Sequence, residues 1–307
     1  MNKTAIASFS HLLDRITPGD ISADPYAAAY LEHLLAHRQY YLRLYADLLK
    51  DLRTDGSLID FGCGNGLLGL FARHCGFEKV ALVDVDEHFL AAAGTLADRL
   101  GLTVTTCREL PSQGYRYLVG TDVVEHVYDL SALMRGARGL ERVTLTTSAN
   151  PLHWIKARQI KKIQRIDEHV GTPASAANRW VAVRPFYEQR LEIAGGVREL
   201  ARLTRGLRRD DILAAAARYA ATGELPPEPS HPTNTCDPET GSWTERLLYP
   251  EEYRQCFAHG GFALKIRYGP YNACEGGAKA AILKAVNAMA HNPWLAAYLI
   301  LEGRRQK

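Results

Sequence analysis

Leu58-Ile59-Asp60-Phe61-Gly62-Cys63-Gly64-Asn65-Gly66 is the stretch on which the reading of this chain turns. Residues 58–61 read as a short buried strand running into a glycine-rich turn, and a helix is expected over about 67–75. Glycines at 62, 64 and 66 carry no Cβ, so the backbone can take positive φ and approach a ligand closely. Amides at the start of the following helix point into the same space. A second apolar run, residues 79–83, ends in Asp84, 18 residues after Gly66. In a βαβ unit this places a carboxylate at the tip of the second strand, beside the turn, where it can bind a ribose hydroxyl pair. The dinucleotide fingerprint ends in G-x-x-G, which this loop lacks. The acid before the turn, Asp60, suits a positively charged ligand rather than a pyrophosphate.

An acid followed by G-x-G-x-G, with a second acid closing the next strand, resembles class I S-adenosylmethionine-dependent methyltransferases. The resemblance rests on Asp60 to Gly66 and on Asp84. It implies a Rossmann-like α/β fold, with a seven-stranded sheet and helices on both faces, and S-adenosylmethionine as cofactor. Asp60, Gly62, Cys63, Gly64 and Gly66 would then face the methionine part and Asp84 the ribose, with Val85 and Asp122 completing the cofactor shell. In that family a residue after strand three meets the adenine. Here the neighbourhood reads Cys107-Arg108-Glu109-Leu110, without the aspartate often found there, so no adenine ligand is assigned. The F-D pair common before strand four is Tyr115-Arg116 in this chain.

Asp122, Glu125 and His126 form a second pattern, D-x-x-E-H, at the end of the strand expected over 117–121. Carboxylates and an imidazole make a mixed oxygen and nitrogen set suited to Mg²⁺ or Mn²⁺. The pattern resembles that of ubiquinone-biosynthesis O-methyltransferases and of small-RNA 2′-O-methyltransferases, in which such residues bind a divalent ion that grips acceptor oxygens. His169 or His231 could add a further ligand from the following segment. A bound cation would act as a Lewis acid on a hydroxyl. Without one, His126 would serve as general base beside Glu125. Gly241-Ser242-Trp243 resembles the G-x-x-W stretch ahead of the last helix in the ubiquinone group.

The remainder of the chain is organised about these two sites. Residues 1–56 are expected to form a helical cap, 57–151 the cofactor-binding core, 152–245 a helical insertion after strand five, 246–274 the end of the sheet, and 275–307 C-terminal helices. A short helix is expected over 9–16. A longer one starts at Asp24-Pro25, an N-cap acid followed by proline, and runs to about residue 52. Along it Tyr30, Leu34, Tyr41, Leu44, Tyr45, Leu48 and Leu52 recur at helical spacing, as core packing or as a cover over the cofactor cleft. Helices are also expected over 154–166, 186–209 and 247–257, and two more on either side of Asn292-Pro293, the second containing the apolar run 294–301. That run would pack on the domain, on a second subunit or on a membrane surface.

Composition narrows the function. Hydrophobic content of 47% and charged content of 23% describe a globular protein, and a net charge of +3 does not by itself imply nucleic acid. Six cysteines without a C-x-x-C pair, and a start lacking the pattern of a secretory leader, lead to the expectation of a cytoplasmic protein with reduced thiols. No apolar run approaches the length of a membrane span. Residues 153–209 hold 13 Lys and Arg against 5 Asp and Glu, an excess of +8. A basic lid points to an anionic small-molecule acceptor, such as a phosphorylated sugar, a nucleotide conjugate or a lipid headgroup. Nucleic acid is disfavoured because aromatic residues do not interleave the basic ones. The expected activity is methyl transfer from S-adenosylmethionine, preferably to oxygen. The rivals are 2′-O-methylation of RNA ends and a cofactor-binding protein without transfer. Oligomeric state is not legible.

Overall fold

The computed structural model describes residues 3–169, 202–274, 277–289 and 292–306. The chain divides into two compact units: Met1–Val124, Ser131–Thr147 and Tyr253–Lys307 in the first, Glu125–Leu130 and Ser148–Glu252 in the second.

The first unit is built on a seven-stranded sheet in the order β3-β2-β1-β4-β5-β7-β6. The strands are β1 (Ser57–Phe61), β2 (Lys79–Val83), β3 (Thr105–Cys107), β4 (Tyr117–Gly120), β5 (Arg142–Thr147), β6 (Phe262–Gly269) and β7 (Tyr298–Arg305). β1 to β5 are mutually parallel, and β7 runs antiparallel to both β5 and β6. The parallel strands read as near-continuous apolar runs because both faces of the sheet are covered. Leu58, Ile59, Val80 to Val83, Leu118 and Val119 are all buried. Strand order reverses at β1, which has β2 on one side and β4 on the other, so the carboxyl ends of these strands frame a crevice suited to a ligand.

Several expected elements differ from those observed. The apolar run 294–301 is no helix: its second half opens β7, inserted between β5 and β6. Leu299, Ile300 and Leu301 are each at most 1% exposed, and a strand buried on both faces has no alternation to betray it. Glu302 is 4% exposed within the same strand. It accepts from Arg267 Nε at 2.9 Å and lies 3.4 Å from an Arg142 nitrogen, so the buried acid is matched by two arginines. The C-terminal helical region reduces, among the described residues, to one helix, Ala278–Ala288.

At the N-terminus α1 (Lys3–Leu13) lies earlier than expected, and a single turn, α2 (Pro18–Ile21), follows it. Asp24 caps α3 (Pro25–Ala36) by accepting the Ala27 N–H at 2.8 Å, as its position before proline suggests. The expected long helix breaks at His37, and α4 (Arg38–Leu49) begins there. A continuous helix over that span would run roughly 40 Å. The break lets Leu31 and Leu34 on one half, and Leu42, Tyr45, Leu48 and Leu49 on the other, all reach the core. Within the sheet's connections, α5 (Leu67–His74) and α6 (Glu87–Leu100) lie where expected, and Gly101 closes α6 at φ 66. α7 (Leu130–Gly136) precedes β5.

The second unit contains α8 (Trp154–His169) and a helix at Arg209–Thr222, where the sequence reading placed none. Most of the helix expected over 186–209 lies outside the described residues. The helix expected over 247–257 starts instead at Pro250, a favoured first position, and ends at His259. Gln164 is the polar hub of the second unit: its Nε2 lies 2.9 Å from the Glu245 carbonyl and 3.1 Å from those of Thr244 and the Asn234 side chain. Asn234 in turn donates to the Leu247 carbonyl at 2.8 Å and accepts its N–H at 3.0 Å. These bonds satisfy buried polar groups in a segment with little regular structure.

Candidate active site

The bend after β1 has the backbone that its glycines permit. Gly62, Gly64 and Gly66 sit at φ 65, 51 and 77. A Cβ on Gly62 would fall 2.2 Å from Val123 Cγ2, and one on Gly64 would fall 3.0 Å from Tyr30 Cε1. The bend therefore needs glycine for conformation and for contact together.

Two carboxylates fix it. Asp84, just past β2, accepts the Gly64 N–H at 2.8 Å through one oxygen and the Asp86 N–H at 3.0 Å through the other. The amide that could have cradled a phosphate is thus already held by an acid. Asp60 is 2% exposed and accepts the Gly69 N–H, in the first turn of α5, at 2.8 Å. Its carboxyl is pushed up to about 7, chiefly by burial; the Gly69 bond opposes the rise and the Asp84 charge adds to it. Asp60 therefore anchors a helix start from within the core. Val85 beside Asp84 is 79% exposed, an apolar side chain at the edge of the bend.

α3 lies over this bend. Asn65 donates to the Ala27 carbonyl at 2.9 Å, and Tyr30 packs edge-on against Phe89 of α6, with ring centres 5.6 Å apart. Burial, then Tyr41, Asp122 and Asp60, raises the Tyr30 phenol above its ordinary range, so it stays protonated beside the carboxylates. Asp122, at φ 54 past the end of β4, holds a conformation rare for a side-chain-bearing residue. Its N–H donates to Thr146 Oγ1 at 3.1 Å.

The second unit gathers its own polar cluster. Glu125 is fully buried and accepts the Ser148 N–H at 3.0 Å. His126 Nδ1 lies 2.8 Å from the Trp243 carbonyl, and since a carbonyl only accepts, Nδ1 carries a proton. Nε2 lies 3.9 Å from Glu245, whose other oxygen accepts from Ser148 Oγ at 3.3 Å. Glu245 sits at φ 47. It is held there because Trp243 N–H and Arg246 N–H, on either side of it, donate to the His126 and Glu125 carbonyls at 3.2 and 3.1 Å.

Comparison with known proteins bears on the first of these arrangements. Residues 30–176 match the family model described as a methyltransferase domain. Residues 30–176 are thus similar to a methyltransferase domain. The matched segment runs from within α3 through the glycine bend and the first five strands. Among curated proteins, the ribosomal protein L11 methyltransferase of Vibrio vulnificus (strain CMCP6) is 32% identical over 99 residues, 30% of this chain and 34% of that protein. The corresponding protein of Pseudoalteromonas atlantica is 41% identical over 46 residues, 15% of this chain and 16% of its own. The chain thus spans about a third or less of the length of these curated relatives. Among solved structures, an S-adenosylmethionine-dependent methyltransferase from Mesorhizobium loti matches with a TM-score of 0.45 and 17% identity, over 84% of this chain and 96% of that one. Magnesium protoporphyrin IX methyltransferase from Synechocystis PCC 6803, with bound SAH, matches with a TM-score of 0.46 and 13% identity, over 99% and 96%.

Within the matched residues, Asp60, Gly62, Cys63, Gly64, Gly66 and Asp84 lie together about the bend, with Val85 next to Asp84. The expected Mg²⁺ or Mn²⁺ centre is not supported by the described residues. Among the described residues no group of three or more His, Cys, Asp or Glu side chains could hold a metal ion. Asp122 belongs to the first unit and Glu125 and His126 to the second. The Glu125 carboxylate is turned to the Ser148 amide, and the His126 ring to a backbone carbonyl, which explains why adjacency in sequence does not become a ligand set. The side chain of His169 lies outside the described residues. His231 instead pairs with Glu252 at 2.5 Å. Sequence reasoning missed Val123, Ser148 and Glu245. Ser148 lies in the polar turn that closes β5, but nothing marks Glu245, whose placement depends on a positive φ that only coordinates reveal.

Proposed function

We propose that this chain is an S-adenosylmethionine-dependent methyltransferase acting on oxygen of a small anionic acceptor. The observation that carries the cofactor assignment is the Asp84 carboxylate closing on the Gly64 amide at the strand-order reversal. A bend whose amide is already bonded to an acid, with Asp60 behind it and no lysine or arginine among residues 60–66, repels a pyrophosphate and favours a cationic nucleoside. Asp84 would take the ribose hydroxyls with its remaining lone pairs, and Val85 the nucleoside's apolar edge. Gly62, Cys63, Gly64 and Gly66 would lie along the methionine part, with Asp60 and Asp122 contributing negative charge.

Methyl transfer needs the sulfonium carbon held roughly 3 Å from the nucleophile, so positioning dominates the rate. On the acceptor side His126 would take the hydroxyl proton on Nε2. The Trp243 carbonyl fixes the required tautomer, and Glu245 faces the imidazolium that results. Glu125, buried behind the cluster, would hold the loop at Ser148 in place. The basic α8 supports an anionic acceptor. His126→Gln is expected to leave S-adenosylhomocysteine affinity unchanged while lowering turnover of methyl-labelled S-adenosylmethionine with a phosphorylated-metabolite pool about 10²- to 10⁴-fold. Unchanged turnover would remove His126 as base. Cofactor binding with no turnover by wild type on any pool would leave a binding protein.

A further inference from the structure

Outside the cofactor bend and the His126 cluster, the strongest unassigned feature is the outer face of α8. The inner face of this helix is the buried stripe Ala157, Ile160 and Gln164, with His153 just ahead of it. The opposite face is exposed and carries Arg158, Lys161, Lys162 and Arg165. Trp154 and Ile155 stand at the head of this face, 64% and 46% exposed. At about 100° per residue, Trp154, Arg158, Lys161 and Arg165 fall within roughly 60° of one another, with Lys162 alongside. No acid occurs between Pro151 and Ile166. Among the described residues, none of the four cations is held by a carboxylate. Together these side chains line a groove of about 970 Å³.

Four unpaired cations in one stripe repel each other, and an indole left in water forgoes burial. A ligand with a phosphorylated end and an apolar body relieves both. A phosphate monoester carries about −1.5 to −2 charges near neutral pH, so four cations can balance two such groups. A single aromatic ring is too few for a run of stacked bases.

We propose that the α8 groove binds an amphiphilic phosphate ester, with phosphate on Arg158, Lys161, Lys162 and Arg165 and the apolar part on Trp154 and Ile155. This rests on the anionic-acceptor reading above and gives it a chemical class. The test is titration of the full chain, without cofactor, with decyl phosphate and with inorganic diphosphate, followed by calorimetry and tryptophan fluorescence. Decyl phosphate is expected to bind more tightly than inorganic diphosphate. K161Q/K162Q should weaken it at least tenfold, about 1.4 kcal/mol. Trp154→Ala should remove the advantage of the alkyl chain and the fluorescence change. Phosphatidylcholine vesicles containing phosphatidylglycerol distinguish the sources. Binding that needs Lys161 and Lys162 and is displaced by decyl phosphate assigns a lipid headgroup; binding of decyl phosphate without vesicle binding assigns a soluble ester. The inference is overturned if decyl phosphate does not bind, if K161Q/K162Q binds it equally, or if poly-uridylate binds more tightly. A parallel S-adenosylhomocysteine titration separates the two claims: its failure, with the groove behaving as described, removes the cofactor reading alone.

Discussion

Replacing Asp60 by Asn should abolish a pH dependence built into the core. Asp60 is 2% exposed, and its carboxyl titrates near 7 rather than at 3.8. The folded state therefore keeps a proton through the window from 3.8 to about 7 in which the unfolded chain gives it up. Stability falls as pH rises through that window and levels off above it. Some three pH units at about 1.4 kcal/mol each amount to roughly 4 kcal/mol across the whole range, and about 2 kcal/mol between pH 5.5 and 8. Asn keeps an oxygen for the Gly69 N–H and cannot ionise, so the variant should lack this slope and be the more stable protein at pH 8. Urea unfolding of both proteins at pH 5.5 and pH 8 measures it. Parallel losses in the two proteins would refute the assigned burial cost.

Two further substitutions test the frame that positions the site. Gly62→Ala adds a methyl group 2.2 Å from Val123 at φ 65, so thermal unfolding should report a loss of about 2–4 kcal/mol. Gly76→Ala, at φ 99 but with nothing within 4 Å, should cost only about 1 kcal/mol; equal losses would show that contact with Val123 is irrelevant. Glu302→Ala leaves the buried Arg142 with only Asp51, 3.7 Å away, while Arg267 keeps Asp47 at 2.9 Å; it should cost about 3 kcal/mol in urea unfolding, and a loss below about 1 would mean that these remaining partners suffice.

Local chemistry carried the sequence reading where it succeeded. The bend at 62–66, the cap at Asp24 and the stop at Gly101 each need particular residues for particular backbone angles, and all three lie where expected. The reading failed where tertiary contacts decide. The first half of β7, residues 298–301, is as apolar as a buried helix, and only pairing with β5 and β6 makes it a strand. The break at His37 has no glycine or proline to announce it. Asp122, Glu125 and His126 are neighbours in sequence, yet each is oriented by a different distant partner: Thr146, Ser148 and Trp243. Conversely, Glu245 is brought to His126 across more than a hundred residues by backbone pairing that no short motif encodes.

The central claim is that a sulfonium nucleoside occupies the bend between Asp60 and Asp84. Calorimetric titration of S-adenosylhomocysteine into wild type, Asp84→Asn and Asp84→Ala, with each variant's folding checked by thermal melting, tests it most directly. The account predicts binding by wild type and at least a tenfold loss in both folded variants, about 1.4 kcal/mol or more. Wild type that does not bind, or folded variants that bind as well as wild type, would contradict it.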